Sequence, residues 1–566
     1  MKKIICLINV LIACNAFAQN PIPIPDTLSG STFNLNMHTD SVQFLPGIKT
    51  FTNAFNQYSY LGPTLILNKG ENVTMNVTDN LGDTTTVHWH GLHVPALDDG
   101  GPHTFILAGN TWSPQFTIMN HASTFWYHPH LHRKTGQQVM RGAAGLIIVR
   151  DTIEANLNLP RQYGIDDFPL IIQSQQFDVN NQIEWRGMHD SILLVNGIIN
   201  PMLSIPAQVV RLRLLNAAQE RNFNFGLTAN HPFYIIGNDG GLLNAPVPVT
   251  RIRLSPGERA EVLIDLSGMQ GQNMYLMSYA SEFPMGVQGG PPMPGMDTAM
   301  YSPINGINFN ILQLNIVTQT INPVTSIPVG LVTVTPWLLS QSNITRQITI
   351  TAQNMMSMDG PFFFNGNLFD MHRIDYHIPL NNIEIWSLSN QTMVAHPFHI
   401  HNVQFFVLDR DGVSVQPHEA GYKDVVMIAP QETVRFITKF EDFADASMPY
   451  MYHCHILMHE DDGMMGSFVV VDSTTIGVTE IENFKIDVYP NPADEYIDIT
   501  YDEMSALRLT KLVVSDVMGR VIIPVQLKVN QNTIRINTTD IAEGLYMLSI
   551  EGDKKNMVRK LIITHN

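Results

Sequence analysis

Apolar and polar positions alternate in short runs along most of the chain, as in Val73-Thr74-Met75-Asn76-Val77 and Val210-Arg211-Leu212-Arg213-Leu214. Gly, Pro, Asn and Asp bound these runs, and long stretches with helical spacing of apolar residues do not occur. Successive side chains of a strand point to opposite faces, so the alternation predicts strands joined by tight turns. The expected fold class is all-β, built of sandwiches or barrels.

A divergent repeat underlies the alternation. A predicted strand over 71–80 is followed by His88-Trp89-His90, and one over 383–390 by His399-Ile400-His401. Later in the first unit, Tyr127-His128-Pro129-His130 precedes a strand over 145–149. Its counterpart, Tyr452-His453-Cys454-His455, precedes a strand over 466–471. The units share one plan, except that Pro129 stands where Cys454 stands. A middle unit, roughly 160–320, has similar strands over 209–216 and 260–266 but no His-x-His. From about 480 a further strand-rich segment opens with Tyr489-Pro490-Asn491-Pro492 and carries no cluster of metal-binding residues.

Composition narrows the class. A chain of 566 residues suits several domains, and 44% apolar against 14% charged residues suits packed cores. The formal charge of −18 leaves no basic stripe for phosphates, so no nucleic-acid partner is expected. Lys2 and Lys3, the apolar run Ile4 to Ala13, and Ala16-Phe17-Ala18 read as an export signal cleaved after Ala18. Leu11-Ile12-Ala13-Cys14 resembles a lipidation box, the alternative for this segment. Of three cysteines, Cys6 and Cys14 lie in that signal. The mature chain keeps only Cys454, a buried passenger or a reactive or metal-bound thiolate.

Four His-x-His pairs stand in the chain: His88/His90, His128/His130, His399/His401 and His453/His455. Positions i and i+2 of a strand share a face, so each pair presents two imidazoles together. One such pair is ordinarily a satisfied or exposed pair. Four pairs can converge where two domains meet, and eight imidazoles exceed what one zinc site needs. Imidazole suits copper. If His453 and His455 face such a cluster, Cys454 faces the opposite way. His396 lies three residues before His399, His459 five after Cys454, and Met464 ten after it. Two histidines, a thiolate and a weak thioether form the ligand set of a blue electron-transfer copper. The short covalent link from Cys454 to both histidines is then a route for electrons. His93, His103, His121 and His132 fall outside the pattern and read as supporting or surface groups.

The chain resembles the three-domain multicopper oxidases through HWHGL from His88, YHPH from Tyr127, HPFHIH from His396 and HCHILMHEDDGM from His453, with Gly62-Pro63-Thr64 ahead. That resemblance, over roughly 30–475, implies three cupredoxin-type Greek-key barrels and four copper ions. His396, Cys454 and His459 would hold the type 1 copper, with Met464 axial. His88 and His399 would hold the type 2 copper. His90, His128, His130, His401, His453 and His455 would hold the type 3 pair. Asp99 and Glu460 would deliver protons to oxygen as it is reduced. The boundaries expected are 1–18 for the signal, then 19–155, 156–325 and 326–475 for the barrels. The tail, 484–566, resembles the C-terminal sorting domain of the type IX secretion system. It carries Met518-Gly519-Arg520, Gly544-Leu545-Tyr546 and a terminal strand over 560–564, and implies a small β-sandwich handled by secretion machinery.

The expected partners are O2 and a small-molecule or metal-ion reductant. Among 29 methionines, Met285, Met293, Met296 and Met300 form one loose cluster and Met355, Met356 and Met358 another. Thioethers suit Cu(I), although methionine is also a common filler of cores. The long Met/His-rich insertion of cuprous oxidases is missing, and Thr392 and Val394 replace the acid and methionine those enzymes carry before His396. A laccase-like oxidase of phenols is the primary reading, with a metal-ion oxidase as the alternative. A copper nitrite reductase is disfavoured by the four complete pairs and third domain. A non-catalytic relative would have lost ligands, and none is lost here.

Overall fold

The structure, a computed structural model, describes residues 19–295, 297, 301–354, 360–472, 486–501, 509–516, 520–525, 533–552 and 556–565. The expected export signal and the alternative lipidation box therefore lie outside the described residues, as do Met296, Met300, Met355, Met356, Met358, Met518 and Gly519. The chain divides into two compact units, Met1–Asp472 and Ser473–Asn566.

Strands dominate the larger unit, which holds three pairs of facing sheets. In the first pair, one sheet runs Thr27–Ser29, Thr64–Asn68, Gly145–Arg150, Ser123–His128, His88–His90. The other is built on Thr50–Phe55, Thr32–Val42 and Asn72–Asn80. Between them lies a core that includes Phe33, Leu35, Val77, Trp89, Phe125 and Ile147. Asn72–Asn80 shows the alternation the sequence predicts, with Val73, Met75, Val77 and Asp79 buried between more open neighbours.

The middle pair comprises a seven-stranded and a six-stranded sheet. Asn20–Pro21, at the start of the described chain, adds to this pair, running parallel to Pro201–Pro206. Val209–Asn216 alternates apolar and basic residues yet is buried at every position. Its basic side chains are paired within the sheet and beyond it: Arg213 meets Asp167 and Glu261 of neighbouring strands and Thr124 of the first sheet pair, and Arg211 meets Glu261 and Glu154. Buried charge is tolerated because each guanidinium is paired.

The third pair repeats the first. Its site-bearing sheet runs Tyr376–Pro379, Met465–Val471, Tyr450–Cys454, His396–Ile400, Val425–Ile428. Tyr450–Cys454 sits between Met465–Val471 and His396–Ile400, just as Ser123–His128 sits between Gly145–Arg150 and His88–His90. The repeat seen in the sequence is a repeat of strand order.

The smaller unit has two antiparallel sheets, one of Ile486–Tyr489, Tyr496–Tyr501 and Thr533–Asn537, the other of Val521–Val525, Leu509–Asp516, Gly544–Gly552 and Asn556–Ile563. Ile497, Ile499, Leu512, Val514, Leu548 and Leu561 fill its core. Among the described residues, no helix is long and apolar enough to cross a membrane.

Candidate metal centre

Strand register sets the histidines opposite one another. His128 faces His88 across one antiparallel ladder, and His453 faces His399 across another. His130, His401 and His455 follow just beyond the ends of their strands. All eight imidazoles are buried. Two stacks join the first and third sheet pairs: His88 on His401 with centroids 3.9 Å apart, and His90 on His399 at 3.8 Å.

The nitrogens converge in separate groups. His130 Nε2 lies 3.1 Å from both His401 Nε2 and His453 Nε2. His90 Nδ1 lies 3.2 Å from His455 Nε2 and 3.4 Å from His128 Nε2. His88 and His399 belong to a third group with His401. Their own Nε2 atoms are buried and have no hydrogen-bond partner. Orphaned buried nitrogens are rare in folded proteins and call for a partner beyond the chain. Burial, reinforced by neighbouring imidazoles, holds His90, His128, His130, His399, His401, His453 and His455 far below the ordinary histidine value. Neutral rings with facing lone pairs are the form that binds metal.

Most of the outer nitrogens are tied down, those of His130 and His455 being the exceptions. His88, His128, His399 and His453 donate from Nδ1 to the carbonyls of Asp99, Pro129, Asp424 and Cys454, at 2.9, 2.8, 2.7 and 3.1 Å. His401 Nδ1 donates to the Asp99 carboxylate at 2.7 Å. Glu460 stands 3.4 Å from His130 Nδ1 and 3.3 Å from His453 Nδ1, without hydrogen-bond geometry to either. Burial, with Asp461 beside it, pushes the Glu460 carboxyl well above its ordinary value. Such outer partners fix ring orientation and tautomer.

Cys454 faces the other way, into the core of the third sheet pair with Phe398, Met458 and Met464. Its Sγ lies 3.6 Å from His396 Nδ1 and 3.5 Å from His459 Nδ1. Thr392 Oγ1, 3.0 Å from His396 Nε2, accepts from that ring and leaves Nδ1 free to face the sulfur. Phe362 lies against both rings. Met464 is buried in the same core, and its carbonyl accepts from the Cys454 N–H at 3.1 Å. Burial pushes the Cys454 thiol up and His459 down to about 3. A thiol in that setting is deprotonated by a bound metal rather than by solvent.

A cavity of about 50 Å³ adjoins this region, lined by Met188, Asp190, Glu220, Arg221, Met293 and Val394 among others. His93, His103, His121 and His132 join none of the nitrogen clusters among the described residues. His93 instead meets the Asn402 carbonyl, His103 that of Met371, and His121 Lys69.

Sequence reasoning missed Asp424, Arg259 and the role of Thr392. Asp424 Oδ1 accepts from His90 Nε2 at 3.1 Å, and Arg259 grips both carboxylate oxygens at 2.6 and 2.7 Å. The one available signal was a Lys-Asp pair, Lys423-Asp424, heading a short apolar strand, where charge needs a buried partner.

Facing sheets, a buried Cys-His-His set and eight converging imidazoles define a cupredoxin-type oxidoreductase. Residues 36–154, 173–299 and 341–474 each match a family model described as multicopper oxidase. Residues 487–564 match the secretion system C-terminal sorting domain, which suggests export. A multicopper oxidase of Staphylococcus haemolyticus is 34% identical over 73% of this chain and 82% of its own. The cell division protein FtsP of Escherichia coli is 30% identical over 81% of this chain and 94% of its own. Among solved structures, a laccase-like multi-copper oxidase from Ochrobactrum sp., with activity towards lignin model compounds and lignosulfonate, superposes with a TM-score of 0.71. It is 34% identical, covering 80% of this chain and 100% of that one. A multicopper oxidase from Campylobacter jejuni, described as a metallo-oxidase, gives 0.68 at 27% identity, covering 81% and 96%. This chain belongs to the multicopper oxidases, a family of copper-binding oxidoreductases.

Proposed function

We propose that the protein is a laccase-like oxidase holding four copper ions, which oxidises phenols or similar reductants and reduces O2 to water. The observation that carries this reading is the separation of two donor sets by single peptide steps: Cys454 lies between His396 and His459, while His453 and His455 join the imidazole cluster. The donor chemistry fits. His396, Cys454 and His459 with Met464 would hold the type 1 ion, and His88 and His399 the type 2 ion. Two triads, His90/His128/His455 and His130/His401/His453, would hold the type 3 pair. When bound, copper supplies one-electron oxidation of the reductant and four-electron reduction of O2.

The chain's own residues do the rest. Burial of all eight imidazoles keeps bulk water from the cluster. Asp99, bonded to His401 and 3.4 Å from His88 Nδ1, and Glu460, beside His130 and His453, are suited to hold and pass protons. Four protons are needed for each O2 reduced to water. Neutral Thr392 on His396 and apolar Val394 favour an organic reductant over a cation. A metal-ion oxidase is the second reading, supported by the carboxylates and thioethers of Asp190, Glu220, Met188 and Met293 around the adjoining cavity. Export through the type IX route to the extracellular space or outer surface is part of the proposal.

Steady-state O2 uptake with a phenol, Cu(I) and Fe(II) side by side tests the substrate. Uptake is expected to be fastest with the phenol. Uptake confined to Cu(I) or Fe(II) would establish the second reading, and none with any reductant would leave a binding or structural protein.

A further inference from the structure

The middle sheet pair contributes no histidine to the cluster, yet Arg259 reaches it. Arg259 leads the strand Arg259–Asp265 and is fully buried. Its Nε donates to the Thr124 carbonyl at 3.1 Å, in the first sheet pair. Nη1 and Nη2 grip Asp424, in the third, at 2.6 and 2.7 Å. Nη2 also donates to the Asp239 carbonyl at 2.8 Å, and the Asp239 carboxylate accepts from the Arg259 N–H at 2.8 Å. Next to Asp424, Lys423 pairs with Asp239 at 3.0 Å and with Glu258 at 2.9 Å. The middle sheet pair thus holds the Lys423-Asp424 step at two points.

Asp424 in turn sets two imidazoles. Its carboxylate accepts from His90 Nε2 at 3.1 Å and its carbonyl from His399 Nδ1 at 2.7 Å. The effect on His90 is distinctive. His128, His130, His401, His453 and His455 turn Nε2 inward, whereas His90 turns Nδ1 inward. A carboxylate oxygen accepting at Nε2 fixes the proton there and leaves the lone pair on Nδ1. His90, His399 and Asp424 have donor atoms close enough to hold a metal among themselves. Arg259 occupies both Asp424 oxygens, which makes this carboxylate an orienting group rather than a ligand. Gly91 leaves the pair its space: an added Cβ would lie 2.8 Å from Arg259 Nη2.

We propose that Arg259 and Asp424 are positioning residues of the copper cluster, through which the copper-free middle domain sets the ring orientation of His90 and His399. The proposal rests on the four-copper reading above. A bidentate guanidinium–carboxylate pair is geometrically specific, and lysine cannot reproduce it.

The test uses the full chain loaded with copper, comparing wild type with Asp424→Asn, Arg259→Leu and Arg259→Lys. Copper per chain, the blue type 1 absorption, the type 2 paramagnetic signal and the type 3 near-ultraviolet band are recorded together. The type 1 absorption reports that the third domain has folded. Expected is an unchanged type 1 absorption, with cluster copper bound about 10- to 100-fold more weakly and the type 2 and type 3 signals altered or lost. Arg259→Lys should show the same defect, only smaller. Unaltered cluster signals in Asp424→Asn and Arg259→Leu would overturn the proposal. So would a parallel loss of type 1 and cluster signals, which is what a merely structural role produces. A wild-type chain that takes up no copper would overturn the four-copper reading and this inference with it.

Discussion

His88 and His401 stack ring on ring, centroids 3.9 Å apart and planes 19° from parallel, although they belong to the first and third sheet pairs. Asp99 binds this stack from one side, its carboxylate accepting a hydrogen bond from His401 Nδ1 at 2.7 Å and its carbonyl one from His88 Nδ1 at 2.9 Å. The cluster is therefore an interdomain object. Anything that disturbs domain packing disturbs the donor set.

Asp99→Asn should keep the stack but remove the proposed proton carrier. Turnover is expected to fall about 100-fold or more while the blue absorption stays. Oxygen uptake alongside the visible spectrum checks this. Full turnover in the variant would remove Asp99 from the proton route.

Gly257 has a left-handed backbone (φ +86°), and an added Cβ would lie 2.8 Å from the His455 ring. Gly257→Ala should displace that imidazole and cost about 1–3 kcal/mol in stability. Copper content and thermal melting measure the two effects.

Burial pushes the Asp167 carboxyl up, but Arg213 and Arg211 override it and hold it at about 2, below its ordinary 3.8. A carboxylate with a depressed folded value contributes stability that is present above the unfolded value and lost as pH falls through the folded one. The difference corresponds to about 2 kcal/mol, lost as pH falls from about 4 to about 2. Melting temperatures across that range should fall steeply in wild type and less steeply in Asp167→Asn, which starts from a lower value at neutral pH.

Much of the donor arrangement was legible because it is set locally. Histidines at i and i+2 on a strand share a face whatever the tertiary structure, and Cys454 between two of them must point away. Barrel order was legible for a related reason, since Pro129 and Cys454 mark equivalent strands of one repeated plan. Arg259 and Asp424 were not legible. They lie 165 positions apart and meet only after three sheet pairs have packed. The burial of Arg211 and Arg213 was not legible either, because alternation describes one sheet and says nothing of what covers its polar face. Of the methionines set aside as metal-loading groups, Met293 lines the cavity beside Val394, whereas Met285 is 55% exposed.

The account depends most on the Cys454 thiol, and the optical spectrum of the copper-loaded chain reports on it directly. Wild type should be intensely blue and consume O2, and Cys454→Ser should lose the colour and the O2 consumption together while retaining cluster copper. A colourless wild type, or a Cys454→Ser variant that still consumes O2 at the wild-type rate, would contradict it.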